Sequence, residues 1–291
     1  MAASIEDALR LLPTGLLRRL DANPAHEMIR RSLKHGCNDL MNTGHLSPAE
    51  ALAIAETILR TRYPGASLAC VAGSIMRGQG TYLSDIDLVV VYQHLEAARR
   101  ESFVTQGVPV EAFVHDQQTL AWFIDQDAER GRPSLLNMVT EGAVIGPAPG
   151  LAQGLKQRVA ERLAQGPERL TPAALNTLRY EITDAVDDLR GTRPASETLA
   201  IGALLHARLV ELALRGRGRW YGTGKWAPRL LSEVDASLAD RFDEAFRTLF
   251  SEGKAESLIA LAEAELAAHG GFLFDGDCRT APASWRSQAR S

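Results

Sequence analysis

Cysteine is scarce in this chain, with only Cys37, Cys70 and Cys278 among 291 residues. They are odd in number, far apart and without ligand-like spacing. That excludes a disulfide framework and a structural zinc site, and reads as free thiols in a reducing, cytoplasmic compartment. Long apolar runs are also missing: none approaches the roughly 20 residues that span a bilayer. The N-terminus, Met1-Ala-Ala-Ser-Ile-Glu-Asp7, lacks the basic start and apolar core of a signal peptide. Nor is there an excess of positive charge. The formal net charge of -4 removes the general electrostatic argument for a nucleic-acid partner, although local patches matter more than totals. No Ser/His/Asp triad or Cys/His pair declares itself. Gly78 and Gly80 look like part of a phosphate loop, but the lysine-serine ending of such loops is absent. There is no internal repeat.

What is present is a chain with 45% hydrophobic residues, enough for a substantial core and for two domains or one large one. Residues 4–62 are helical in pattern, with two helices expected between Ile5 and Lys34. Ser47-Pro-Ala-Glu50 is a capping box with proline at the first helical position, so a helix is predicted from Pro48 to near Arg60. Residues 67–146 read as an α/β core: a strand at Leu68–Ala72, a short helix at Gly73-Ser74, a strand through Leu88–Val91 and another through Val108–Val114. A helix near Gln117–Asp127, a short helix from Leu135 and a last strand ending at Ile145 follow. Pro147-Ala-Pro-Gly150 is the best boundary, dividing the chain into 1–150 and 151–291. Beyond it the pattern is helical. Thr171-Pro172 opens the clearest helix, with Leu175, Leu178, Ile182, Val186 and Leu189 on one stripe. Further helices are predicted at 197–214, 238–251 and 255–269, with an irregular tail after Phe274.

The most informative stretch is Val71-Ala-Gly-Ser-Ile-Met-Arg-Gly-Gln-Gly-Thr-Tyr-Leu-Ser-Asp-Ile-Asp-Leu-Val-Val90. Asp85 and Asp87 flank one isoleucine at the head of an apolar, β-branched run. Strand side chains alternate, so the two carboxylates point the same way. They repel each other unless a cation sits between them, and a hard divalent ion such as Mg²⁺ suits the pair. Gly73 allows a turn and a close backbone approach to a ligand. Ser74 offers a hydroxyl and an N–H at the start of a helix, a natural phosphate position. A phosphate site beside a Mg²⁺ site is what phosphoryl or nucleotidyl transfer needs. Glu111 is the one charge in an otherwise apolar strand. It is either a surface glutamate on an edge strand or a third carboxylate beside the aspartates; the preceding motif favours the second reading.

These residues resemble the nucleotidyltransferase superfamily that includes DNA polymerase beta. Its pattern is a strand ending in Gly-Ser, a spacer, Asp-apolar-Asp, and an acid on a later strand, matched here by Gly73, Ser74, Asp85, Asp87 and Glu111. The phrase Ser84-Asp-Ile-Asp-Leu-Val89 is especially similar to the bacterial aminoglycoside and other antibiotic nucleotidyltransferases. The specific likeness covers about residues 47–146. It implies an α/β (α+β) fold: a small mixed-sheet catalytic domain led by N-terminal helices and followed by an all-helical C-terminal domain. It also implies Mg²⁺ as cofactor and a nucleoside triphosphate, ATP, as co-substrate. Asp85 and Asp87 would be catalytic metal ligands. Glu111 would be catalytic as a metal ligand or as a general base. Gly73 and Ser74 would bind the triphosphate, with Arg77 helping. The implied product is an adenylylated small molecule, with an aminoglycoside-like antibiotic as the suggested acceptor. Transfer to RNA or protein, as in nucleotidyltransferase toxins, and a nucleotide-binding protein without catalysis are the alternatives. All three acids are present, which ranks the last of these lowest.

Two further segments have competing readings. Tyr180, Asp184 and Asp187, with Glu181 and Asp188, lie beside the Leu175 stripe. They are either an acidic wall receiving a polycationic acceptor or a solvated helix face. Arg215-Gly-Arg-Gly-Arg-Trp-Tyr-Gly-Thr-Gly-Lys-Trp226 is a glycine-rich basic loop. It could bring Lys225 to the triphosphate, stack single-stranded nucleic acid, or be a surface connection anchored by Trp220 and Trp226. His115 at a strand end and His206 on an apolar helix side read as structural histidines.

Overall fold

The computed structural model describes residues 45–282 and Arg286. The helices expected between Ile5 and Lys34, and Cys37, lie outside the described residues. Helix α1 (Pro48–Arg62) opens on the expected capping box, with Ser47 and Glu50 exchanging hydrogen bonds. Five strands follow: β1 (Leu68–Ala72), β2 (Ile86–Tyr92), β3 (Arg99–Thr105), β4 (Val108–Asp116) and β5 (Ala143–Ile145). They form one mixed sheet in the order β3-β4-β2-β1-β5. β2 and β4 run parallel, and the other neighbouring pairs run antiparallel. Helices α2 (Gln117–Arg130), α3 (Ser134–Glu141) and α4 (Pro149–Ala164) complete this part.

The alternation of β2 and β4 sorts their side chains between two layers. Ile86, Leu88 and Val90 join Val110, Ala112 and Val114 under α1. Val89 and Val91 face the other way and pack with Leu120 and Ile124 of α2, Leu136 and Val139 of α3, and Leu155 and Val159 of α4. Asp87 and Glu111 belong to that second face but lie beyond the end of its helical cover, so the two acids sit at the margin of a core.

β3 does not follow from an apolar pattern, because its residues Arg99-Arg-Glu-Ser-Phe-Val-Thr105 are mostly polar and exposed or half-buried. It forms because Gln106 and Gly107, at φ 50° and 77°, supply the positive pair that a tight two-residue hairpin needs. The consequence is that β4 lies inside the sheet, between β3 and β2, and Glu111 is not on an edge strand.

The C-terminal region is all helical: α5 (Pro172–Arg190), α6 (Ala195–Arg215), α7 (Trp226–Val234), α8 (Ala236–Glu252) and α9 (Glu256–Ala267). Leu178, Ile182, Val186 and Leu189 of the expected stripe are buried with Leu205, Leu209 and Leu212 of α6 and Phe242 and Leu249 of α8, and Leu175 packs at the edge. α7 was hidden in sequence by its shortness and by Pro228, which is tolerated in a first turn. No described helix is long and apolar enough to cross a membrane.

The basic segment after α6 is chiefly a fastening. Arg215 is 7% exposed and donates to the carbonyls of Arg130, Glu129 and Glu168 at 3.0, 3.2 and 2.8 Å. Arg217 pairs with buried Glu265 at 2.6 Å, and the Trp220 indole N–H donates to the Leu163 carbonyl at 3.0 Å. Truncating Arg215 strands three carbonyls. Arg215→Ala is therefore expected to lower the unfolding free energy by about 3 kcal/mol, read as a fall in the urea midpoint. An unchanged midpoint would mean that the loop fastens nothing.

Candidate functional site

The parallel register of β2 and β4 pairs Asp87 directly with Glu111. On its other side Asp87 pairs with Ala72, the last residue of β1. The chain therefore leaves β1 across Asp87, and Gly73 takes φ +95° there. A Cβ on Gly73 would land on the Asp87 carboxylate. Glycine is required at this point both by the backbone angle and by the close approach.

The short helix expected at Ser74 is instead a run of tight turns. Gly78 N–H bonds to the Ile75 carbonyl at 2.9 Å and Gln79 N–H to the Ser74 carbonyl at 2.8 Å. Gly78, at φ +69°, ends any helical run as it begins. Ser74 is nearly buried, and its hydroxyl donates to Ser84 Oγ at 3.0 Å. Ser84 Oγ in turn accepts from Thr81 N–H at 2.8 Å. The hydroxyl expected to meet a phosphate thus braces the spacer in this state, while Gly73 borders the cavity.

Burial pushes the Asp87 carboxyl up to about 6; the negative charges of Asp85 and then Glu111 add to that, while Arg77 and Lys225 oppose it. Asp85, just ahead of β2, therefore acts on Asp87 as the Asp-Ile-Asp spacing implies. Glu111 is held by Arg100, whose guanidinium also lies 5.4 Å from the Phe113 ring centroid. Among the described residues no three His, Cys, Asp or Glu side chains gather tightly enough to hold a metal ion. The donor set nevertheless fits a hard divalent cation: every available ligand is a carboxylate oxygen, and a cation would relieve the repulsion that weighs on Asp87.

A cavity of about 750 Å³ opens beside these acids, within the range of small-molecule sites. Gly73, Arg77, Asp87 and Glu111 border it. Arg77 pairs with Glu141 at 3.0 Å and lies 5.0 Å from the Trp226 ring centroid, which also lines the cavity. Lys225 is exposed beside Trp226, and its charge reaches Asp87. The cavity continues along β4 to Phe113 and His115 and is lined there also by Phe123, Asp127 and Tyr221. Asp127 is buried and its carboxyl is raised by that burial, though the Leu135 N–H at 2.8 Å and Arg130 at 2.6 Å hold it. His115 is pushed down to about 4 by burial and is neutral at ordinary pH.

Tyr180, Asp184 and Asp187 do not line this cavity. Tyr180 stacks on Phe274, with ring centroids 6.1 Å apart. Asp187 pairs with Arg190 at 2.6 Å, Asp188 with Arg193, and Glu181 with Arg208 at 2.7 Å. Asp184 is exposed on the same helix. That acidic face is largely answered by Arg190 of the same helix and by Arg193 and Arg208 from beyond it. His206 packs edge-on to Phe246 in the helical region, away from the site. Arg100, Phe113, Arg132 and Tyr221 were not anticipated. Phe113 and His115 were legible in principle, because they alternate with Glu111 on one strand face.

The Asp87 shift has a signed consequence. A carboxyl raised from its usual 3.8 to about 6 contributes stability that is complete below about pH 4 and is lost as pH rises through 6. The metal-free chain should therefore lose about 2 kcal/mol between these limits. Asp87→Asn should abolish that dependence and be the more stable protein at neutral pH. Mg²⁺ should raise the melting temperature of the wild type and not of the variant. Identical pH profiles by thermal melting would show that Asp87 is solvated.

Comparison with known proteins adds a family to this geometry. No curated protein matches the chain. The crystal structure of a nucleotidyltransferase-like protein from Exiguobacterium sibiricum 255-15 is similar over 73% of each chain, at 15% identity and a TM-score of 0.38, too slight a likeness to bear on activity. A family model described as nucleotidyltransferase domain matches residues 52–143. The match takes in Gly73, Ser74, Asp85, Asp87 and Glu111, so the stretch that carries the site is the stretch similar to a nucleotidyltransferase domain.

Proposed function

We propose that the protein is a Mg²⁺-dependent nucleotidyltransferase that moves a nucleoside monophosphate, AMP from ATP, onto a hydroxyl of a small molecule. The observation that carries this reading is the pairing of Asp87 with Glu111 across β2 and β4, under the close approach of Gly73. Asp85 and Asp87 would hold the cation, and Gly73, Arg77 and Lys225 would receive the triphosphate. Bound Mg²⁺ would offset the charge of the phosphates and of the departing pyrophosphate. The acceptor oxygen bonds to the α-phosphorus as the bond to pyrophosphate breaks. Its proton passes to Glu111 once Arg100 lets that carboxylate go.

An aminoglycoside acceptor draws no support from the cavity. The acidic residues suggested for it, Asp184 and Asp187, lie elsewhere, and the cavity margin is rich in arginine. Transfer to RNA or protein keeps the same catalytic residues. The size of the cavity, about 750 Å³, and the net charge of -4 favour a small acceptor.

ATP-dependent pyrophosphate release, screened over hydroxylated small molecules, tRNA and the protein itself, tests the reaction. Asp85→Asn and Asp87→Asn should abolish turnover in a folded protein. Glu111→Gln should slow single-turnover transfer by roughly 10²–10⁴-fold as the loss of a general base, with Mg²⁺ and ATP binding retained. Loss of metal binding in Glu111→Gln, with partial recovery in Mn²⁺, would assign Glu111 to the metal instead. Wild-type rates in all three variants would refute the site.

A further inference from the structure

We propose that the arm of the cavity running along β4 from Glu111 to His115 receives an acceptor that carries an anionic group, a phosphate or a carboxylate, held by Arg132 with Arg100. The word acceptor rests on the nucleotidyl-transfer reading above; the anion preference of the arm rests on its lining.

Direction comes first. Glu111, Phe113 and His115 alternate on one face of β4, opposite Asp87, Val89 and Val91 of β2. The strand rise sets His115 about 13 Å beyond Glu111. In a displacement at phosphorus the attacking and leaving oxygens lie roughly in line on opposite sides. With the phosphates on the Gly73, Arg77 and Asp87 side, an acceptor whose hydroxyl meets Glu111 extends away from them, over Phe113 toward His115.

Charge comes second. Arg100, Arg130 and Arg132 line the arm with Glu111 and Asp127, while Arg99 pairs across the sheet with Val114 and is held by Glu101 at 2.6 Å. Asp127 is spent on the Leu135 N–H and Arg130, and Glu111 on Arg100. Arg132 makes no ion pair among the described residues; its guanidinium carbon lies 5.0 Å from the Tyr221 ring centroid. A polycation entering here would meet the unanswered guanidinium of Arg132, whereas an anion gains charge-assisted hydrogen bonds from it. An anion that draws Arg100 also releases Glu111 to take the proton, which ties recognition of the right acceptor to the chemical step.

A separate observation points to a ligand in the arm. His115 is 3% exposed, it lines the cavity, and its Nδ1 has no hydrogen-bond partner. Buried polar atoms are rarely left so, because the orphan is costly. A ligand that hydrogen-bonds Nδ1 removes that cost, and Phe113 and Phe123 supply apolar walls for its body.

The test uses the full chain loaded with Mg²⁺ and α,β-methylene-ATP, which fills the nucleotide site without reacting. Phenyl phosphate, benzylamine and kanamycin are then titrated by calorimetry. Phenyl phosphate should bind at least tenfold more tightly than either cation. Arg132→Ala should weaken it at least tenfold with an unchanged melting temperature, and Arg132→Lys should recover most of the loss. Tighter binding of benzylamine or kanamycin would overturn the proposal, as would phenyl phosphate affinity indifferent to Arg132→Ala. Binding of tRNA without any response to phenyl phosphate would also overturn it, by assigning the arm to a nucleic-acid end. If the ATP analogue itself fails to bind, the transfer reading fails on its own. Arg132-dependent binding of phenyl phosphate to the unloaded chain would then still uphold the anion site.

Discussion

Everything at this site depends on one register: Asp87 opposite Glu111 on parallel strands, with Asp85 just ahead and Gly73 passing over them. Half-buried like charges are unfavourable, and the fold does not disperse them. It leaves Asp87 with a raised carboxyl and, among the described residues, answers Glu111 through Arg100. A one-residue slip of β2 against β4 would carry Asp87 to the opposite face, beneath α1, and turn Leu88 and Val90 out of that core. Packing and chemistry therefore enforce the same alignment. The hydrophobic pattern that fixes the sheet also fixes where the carboxylates meet.

The second constraint is the closure of the cavity by the segment that follows α6. Arg215 and Arg217 look in sequence like an available basic surface, yet both are consumed by carbonyls and by Glu265. Their fastening lets Tyr221 and Trp226 line the cavity and sets Lys225 where its charge reaches Asp87. An arginine that points inward and one that points outward are the same letter. Only the carbonyls left over at the ends of α2 and after α4 decide between them.

Legibility in the sequence followed physical range. The capping box at Ser47, the apolar β-branched run of β2 and the stripe of α5 are local, and each was visible as pattern. Gly73, Asp85, Asp87 and Glu111 were readable because their chemistry requires particular residue types at particular spacings. β3 escaped because its stability comes from the Gln106-Gly107 turn and from pairing with β4, with little apolar signal of its own. The short helix expected at Ser74 failed because Gly78, at φ +69°, ends the run of turns as it begins. The acidic face of α5 suggested a binding wall, but its partners Arg193 and Arg208 come from beyond that helix. Arg132 and His115 gain their meaning only when α2 and the Tyr221 segment fold over β4.

The central claim is the proposal that Asp85 and Asp87 would hold a divalent cation together with a nucleotide, next to Glu111. Amide NMR with Mn²⁺ and ATP tests it most directly, because the paramagnetic ion broadens signals within its own neighbourhood. The account predicts broadening centred on Gly73, Asp85, Asp87 and Glu111, absent in Asp87→Asn. Broadening centred on Asp184 to Asp188, or none that depends on Asp87, would contradict it.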